Sequence, residues 1–328
     1  IDIQKNRVYA ATEFDKIQQD LRAKTTKEFL EIHESILSSL EQLYEFFAGD
    51  PAIVQKQWIS FVRKVDECLK NAFVAAIKKT LSEISKTMNG DKKTEPQSVF
   101  GMNIMLQRDL EGNYNVGCSP SMQEMSDLIR ALCDNTMSCV AKIPRLIEAL
   151  NTDRKGLSRS VRIFFFFFNK SCEILIHSLT YIQILRKEMR EEDSRGFYDI
   201  VTSDTDVIKI LSTIQRGKSD GATQLQSWLE YWSKYEYLYT EDMEKTIEIF
   251  SKHVSELSRP GLQLNAFEEQ ITTYRDRQFK IQDEQSSHKL YCVQIDCSML
   301  KSSLVDHCVQ WQNSFYKLLN TMARTELE

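Results

Sequence analysis

The stretch PAIVQKQWISFVRKVDECLKNAFVAAIKKTLSEISKTM, residues 51–88, decides the fold class. Its apolar residues Val54, Trp58, Phe61, Val62, Val65, Leu69, Phe73, Ile77, Leu81 and Ile84 recur mostly at spacings of three and four. That is the period of one buried face of an α-helix. Upstream, Phe14, Ile17, Leu21, Leu30, Ile36, Leu37, Leu40, Leu43, Tyr44 and Phe47 carry the same pattern. At 1.5 Å per residue that upstream helix reaches roughly 50 Å. Gly49-Asp50-Pro51 divides the two: glycine suits a helix C-terminus and proline a new first turn. So short a connection predicts an antiparallel helical hairpin.

Working outward, Asn89-Gly90-Asp91 closes the second helix, and the character of the chain changes. Residues 99–106 and Asn113–Cys118 are two short extended stretches around the turn Asp109-Leu110-Glu111-Gly112-Asn113, which predicts a β-hairpin leaning on helices. A helix then follows, capped either by Ser119 with Pro120 in its first turn or by the Ser121/Glu124 capping-box spacing. Pro144 interrupts or kinks it. A basic loop with Arg154, Lys155, Arg159 and Arg162 precedes a helical stretch from Phe164 to Arg190. Ser203 or Asp204 caps a helix through Ile214 that Gly217 and Gly221 end. Thr223–Leu257 reads as one long helix, ended by Pro260-Gly261, and Leu264–Gln282 as another. Leu290–Ile295 alternates as a short strand, and Ser298 caps a last helix through Met322. The fold class expected is mainly α: successive elongated bundles of long antiparallel helices with a small β-hairpin insertion. The expected division is 1–95 helical hairpin, 96–150 hairpin plus capped helix, 151–222 basic loop and short helices, and 223–328 helical bundle.

Composition agrees with this reading. Only 10 glycines and 5 prolines occur in 328 residues, too few for the recurrent turns of a sheet-rich fold. Apolar residues make up 42% and charged residues 27%, enough to bury a core and stay in solution. The net charge of −5 excludes a general nucleic-acid binder, whose affinity needs phosphate-neutralising cations. No apolar run approaches the roughly 20 residues of a membrane span, and no secretory leader is read in the opening residues. Eight scattered cysteines, none in a Cys-x-x-Cys pair, are expected as reduced, buried thiols of a cytosolic chain. A start at Ile1 and a stop at Glu328 lead us to expect a segment of a longer protein.

No catalytic constellation assembles. Neither a phosphate-binding Gly-x-x-x-x-Gly-Lys-Ser/Thr loop nor a Gly-x-Gly-x-x-Gly turn is present. Cys292, Cys297 and Cys308 cluster with His288 and His307, but these gaps match no zinc spacing, so neither metal nor cofactor is expected. Glu191-Glu192-Asp193 reads as a solvated charge run. Trp228, Trp232, Tyr235, Tyr237 and Tyr239 fit a core stripe better than a partner surface; Tyr237 departs from the stripe and is the candidate for a second contact face. Phe164, Phe165, Phe166, Phe167 and Phe168 are consecutive and would cover every face of a helix at 100° per residue. Such a helix lies among several neighbours or offers some rings to a partner; a strand is the third reading. The basic loop is read as solvated, with an acidic partner such as a microtubule surface as the alternative.

Several stretches, taken in order, resemble the tail of dynein heavy chains of axonemal type. Cys118-Ser-Pro-Ser-Met-Gln-Glu-Met125 followed by Ile143-Pro144-Arg145 is similar to that family's extended segment, Pro-Ser-Leu-Glu-Glu and helix reaching Ile-Pro-Arg. Residues 225–239 resemble its Leu-x-x-Trp-x-x-Tyr-x-x-Leu-Trp helix, Phe267–Tyr274 its Phe-x-x-x-Ile-x-x-Tyr element, and Ile295-Asp-Cys-Ser-Met-Leu-Lys301 the helix approaching the linker. Met122 departs from the usual leucine, Tyr239 from a common tryptophan, and the five phenylalanines are not part of the pattern. The resemblance implies a non-catalytic scaffold just before the linker, in the cytoplasmic cytoskeleton of the ciliary or flagellar axoneme. It implies intermediate and light chains, other heavy chains and docking proteins of the doublet microtubule as partners, and ATP hydrolysis elsewhere in the parent. An independent helical-rod adaptor or tethering protein is the alternative.

Overall fold

The computed structural model describes residues 7–47, 51–91, 93–150 and 195–325. Helices dominate, with a small sheet beside them, as the periodicity predicts. The chain divides into two compact units, each gathered from separated stretches. The first is built mainly from Thr12–Lys86 and Leu128–Gln215, the second from Ile3–Ala11, Thr87–Asp127 and Arg216–Glu328.

In the first unit, α1 (Ala11–Phe47) and α2 (Pro51–Asn89) form the expected antiparallel hairpin. Tyr44 meets Trp58 near the turn at 5.3 Å, and Phe29 meets Phe73 further out at 4.9 Å. Each step back along α1 is matched by an equal step forward along α2. The α2 face of Val62, Leu69, Phe73, Ile77, Leu81 and Ile84 is buried. Beside it lie Asn135 and Thr136 of α3 (Met122–Ser138), which line one cavity with Ala76, Ile77 and Thr80; a helix begun at 146–150, whose Leu146 N–H reaches Asp66; and α4 (Phe197–Ser203), whose Phe197 ring meets Phe73 at 5.2 Å. Pro144 stands in the break between α3 and the helix at 146. Asp204 caps α5 (Thr205–Ser233) by accepting the N–H groups of Asp206 and Val207. It also accepts an ion pair from Lys78 of α2 at 3.0 Å.

The second unit is organised by a four-stranded sheet in the order β2-β1-β4-β3. The expected hairpin is β1 (Phe100–Arg108) with β2 (Tyr114–Ser119). Its turn forms because Asp109 accepts from the backbones of Glu111 and Asn113 while Gly112 takes φ +89°. The single strand expected at 290–295 is instead a second hairpin, β3 (Ser287–Leu290) and β4 (Val293–Asp296), turning at Tyr291 with φ +53°. Its β4 pairs in parallel with β1, Phe100 opposite Val293.

Other boundaries also differ from the sequence reading. The helix α3 uses the capping box: Glu124 N–H donates to Ser121 Oγ at 3.2 Å and Ser121 N–H to the Glu124 carboxylate at 2.6 Å. Ser119 and Pro120 lie ahead of it. The helix α5 does not end at Gly217 and Gly221 but runs through both. The long helix expected to Leu257 breaks after Ser233 into α6 (Tyr237–Thr240) and α7 (Met243–Ser255). Asp242 restarts it by accepting the Lys245 N–H, and the freed Leu238 carbonyl accepts the Trp311 indole N–H at 3.0 Å. Pro260 opens α8 (Pro260–Asp283) rather than only ending what precedes it. Asp296, not Ser298, supplies the side-chain acceptor at the start of α9 (Ser298–Thr325), taking the Ser298 N–H at 2.8 Å.

Helices α8 and α9 close the core of this unit. Tyr274 stacks on Trp311 with ring centres 5.2 Å apart and planes within 5°. Phe315 sits edge-on to Phe250, which is edge-on to Phe267. Trp311 is fully buried and ties α8, α9 and α6 together. Trp311→Ala is therefore expected to cost about 3–5 kcal/mol, read as a lowered urea midpoint for unfolding of the chain.

Candidate functional site

Among the described residues, a buried polar cluster lies in the first unit. Asp66 falls on the apolar face of α2, four residues from Val62 and three from Leu69, and is 1% exposed. Arg145 reaches it from the 143–145 break. Its Nε donates to Asp66 Oδ2 at 2.7 Å, and a second guanidinium nitrogen donates to the same oxygen. Asp66 Oδ1 accepts the Leu146 N–H at 2.9 Å. Arg145 also donates to the Arg195 carbonyl at 3.0 Å and stands 5.3 Å over the Phe197 ring. A cleft of about 850 Å³ adjoins the pair, lined also by Arg63, Lys64, Glu67 and Lys70. Both Asp66 oxygens are engaged, which suits the group to holding structure rather than moving protons. His33 is buried nearby, and its Nε2 has no hydrogen-bond partner among the described residues. Burial lowers its pKa, against the opposing pull of the Pro144 backbone and the Asp66 charge.

The aromatic series of the second unit divides. Trp232 and Tyr235 are buried, as a core stripe requires. Tyr237 is half-buried, with the Arg277 guanidinium 4.6 Å over its ring. Burial pushes its hydroxyl up to about 12 against the pull of Arg277. Tyr239 packs with Tyr114 and His307, ring centres 6.0–6.3 Å apart. Trp228 lies 4.1 Å from the His288 ring. Tyr231, 41% exposed, donates to the Glu284 carboxylate, and Lys234 covers its ring at 3.4 Å. Tyr231, Lys234 and Glu284 were not singled out from sequence; only their fit outside the apolar stripe marks them. Asp66 did carry a signal, a carboxylate inside a buried stripe.

Cys292, Cys297 and Cys308 are fully buried. Burial raises their thiols to about 12, about 12 and about 11, which favours the protonated form over the thiolate a metal takes. His288 and His307 are engaged separately by the rings described above. Among the described residues no three His, Cys, Asp or Glu side chains gather as a metal-ion site. No described helix is long and apolar enough to cross a membrane. The phenylalanines at 164–168, the basic loop at 154–162 and the charge run at 191–193 lie outside the described residues.

Along its whole length the chain is similar to a segment of dynein heavy chains of axonemal type. It is 26% identical over 328 residues to dynein axonemal heavy chain 2 of Homo sapiens, and equally so to that of Mus musculus. It is 26% identical over 338 aligned positions to the dynein-1-beta heavy chain, flagellar inner arm I1 complex, of Chlamydomonas reinhardtii. All of this chain is covered in each case, and it spans about 6% of the length of these relatives. No protein-family model matches the chain.

The buried pair and histidine have measurable consequences. Asp66→Ala strands the Arg145 cation and is expected to cost about 3–5 kcal/mol in chemical unfolding. The His33 pKa is lowered from 6.5 by folding, so the unfolded chain takes up the proton first as pH falls. His33 therefore favours the fold fully above pH 6.5, and its contribution is lost as pH drops below that value. His33→Gln is expected to flatten the decline in melting temperature between pH 7 and 5, leaving the share that His307, likewise lowered by burial, contributes.

Proposed function

We propose that this chain is a non-catalytic scaffold segment of a dynein heavy-chain tail, lying just before the linker. The observation that carries the reading is the end-to-end similarity to axonemal heavy chains. It is supported by a mainly helical build in which the buried charges Asp66 and Arg145 are consumed in an ion pair. In this role the segment transmits force between anchor and motor and supports assembly with intermediate and light chains and neighbouring heavy chains. Docking proteins on the doublet microtubule are further partners, and the site of action is the cytoskeleton of the ciliary or flagellar axoneme. The parent chain is an ATP-dependent microtubule motor whose hydrolysis belongs to other segments. Nucleic acid, membrane insertion and cofactors have no part in the proposal.

Tyr237, half-buried under Arg277, and Phe164–Phe168 are proposed as partner contacts. The coding sequence downstream of Glu328 tests the family reading: an open frame into a linker and six AAA+ modules is expected, and a stop codon there overturns it. The contact assignment is tested separately. Phe165→Ser with Phe167→Ser is expected to weaken capture of purified axonemal intermediate chains by the tail while its melting temperature holds. Unchanged capture with a lost melting transition places those rings in the core and ends the interface assignment.

A further inference from the structure

Gly217 and Gly221 stand one turn apart inside α5, facing the turn between β3 and β4. A Cβ added at Gly221 would lie 2.8 Å from Tyr291 Cβ and 3.2 Å from its Cγ. One added at Gly217 would lie 2.7 Å from Tyr291 Cε2 and 1.7 Å from Asn89 Oδ1. The Tyr291 ring thus lies lengthwise along the helix, rooted at one glycine and reaching the other, with Asn89 closing the far end of the notch.

Each partner is unfavourable alone. Glycine inside a helix loses more chain entropy than any other residue and offers no side chain to pack. Tyr291 holds φ +53°, a region that L-residues with large side chains avoid. Only together do the three make sense, because the missing side chains are the room the ring occupies.

We propose that residues 217–221 are a flexure in α5 and that Tyr291 is its splint. With the ring seated, the glycine turn is packed like the rest of the helix. With the ring withdrawn, this turn is the place where α5 bends and opens most easily. Further along, α5 is anchored to the same hairpin by Trp228 on His288 and to the end of α8 by Tyr231 on Glu284, so withdrawal of Tyr291 loosens the glycine turn without freeing the rest. The proposal stands on these residues alone and holds or fails independently of the proposed motor role.

Hydrogen–deuterium exchange on the whole chain tests it. Tyr291→Gly removes the ring and suits the positive φ, so the β3–β4 turn is kept. Amides of residues 213–225 are expected to exchange about tenfold faster or more, in the range of local opening, while those of α9 are unchanged. Gly221→Ala is expected to raise exchange at 213–225 when Tyr291 is present and to lower it in the Tyr291→Gly background, where its methyl has room. Tyr291→Phe, which keeps the ring, is expected to keep the protection. Unchanged exchange at 213–225 in Tyr291→Gly overturns the proposal. So does a rise shared equally by α9, which makes the ring a support of the whole unit, or an effect of Gly221→Ala with the same sign in both backgrounds.

Discussion

A carboxylate buried in a helical interior must be met on every side, and in the first unit that constraint falls on Asp66. Moving a charge out of water costs several kcal/mol before any partner is found. The chain meets it with a guanidinium on one oxygen and a backbone amide on the other. The amide is that of Leu146, the first residue of the helix beginning at 146, so a side chain of α2 acts as a remote cap for another helix. Arg145 in turn holds the Arg195 carbonyl and lies over Phe197, whose ring is edge-on to Phe73 of α2. One buried charge thereby fixes where a helix starts, where the 143–145 break lies and how α4 meets α2. Apolar packing alone allows sliding between such elements; a two-sided hydrogen-bonded charge does not.

The second unit is held by a different device. Aromatic rings from α7, α8 and α9 stack and meet edge-on, and one indole N–H is spent on the Leu238 carbonyl where a helix has been interrupted. A break in a helix leaves a carbonyl to satisfy, and Trp311 supplies the donor from the side on which the core lies. The interruption at 234–242 and the tryptophan are therefore two halves of one arrangement. In each unit, helices are fixed at chosen points by buried polar contacts set within apolar packing.

Elements whose fate is set by their own residues were legible in the sequence. The α1–α2 hairpin and the turn at 109–113 follow from apolar spacing and turn residues read locally, and so do the bodies of α8 and α9, though not their first turns. Elements set by a distant partner were not. Gly217 and Gly221 carry the local signal of a helix end, yet α5 continues through both, with the Tyr291 side chain lying against them. The run from Thr223 to Leu257 has unbroken helical spacing, yet it breaks where Leu238 turns to Trp311. The second hairpin at 287–296 depends on Tyr291 adopting a conformation that its residue type does not announce. For the candidate site, Tyr237 departs from the stripe in sequence and is half-buried in the fold, whereas the pairing of Asp66 with Arg145 joins residues that no local pattern connects.

The sheet joins distant parts of the chain. Its strand β1 lies between β2, close behind it in sequence, and β4, whose residues Val293–Asp296 come near the end. On a ribosome adding about 5–20 residues each second, the β1–β2 hairpin emerges roughly 10–40 seconds before its other neighbour exists. Throughout that interval β1 presents an open edge bearing Phe100, Met102 and Ile104, all buried in the finished fold. An open apolar edge of this kind is a template for pairing with another nascent chain. The order of the strands therefore makes synthesis the stage at which this edge is open to mispairing.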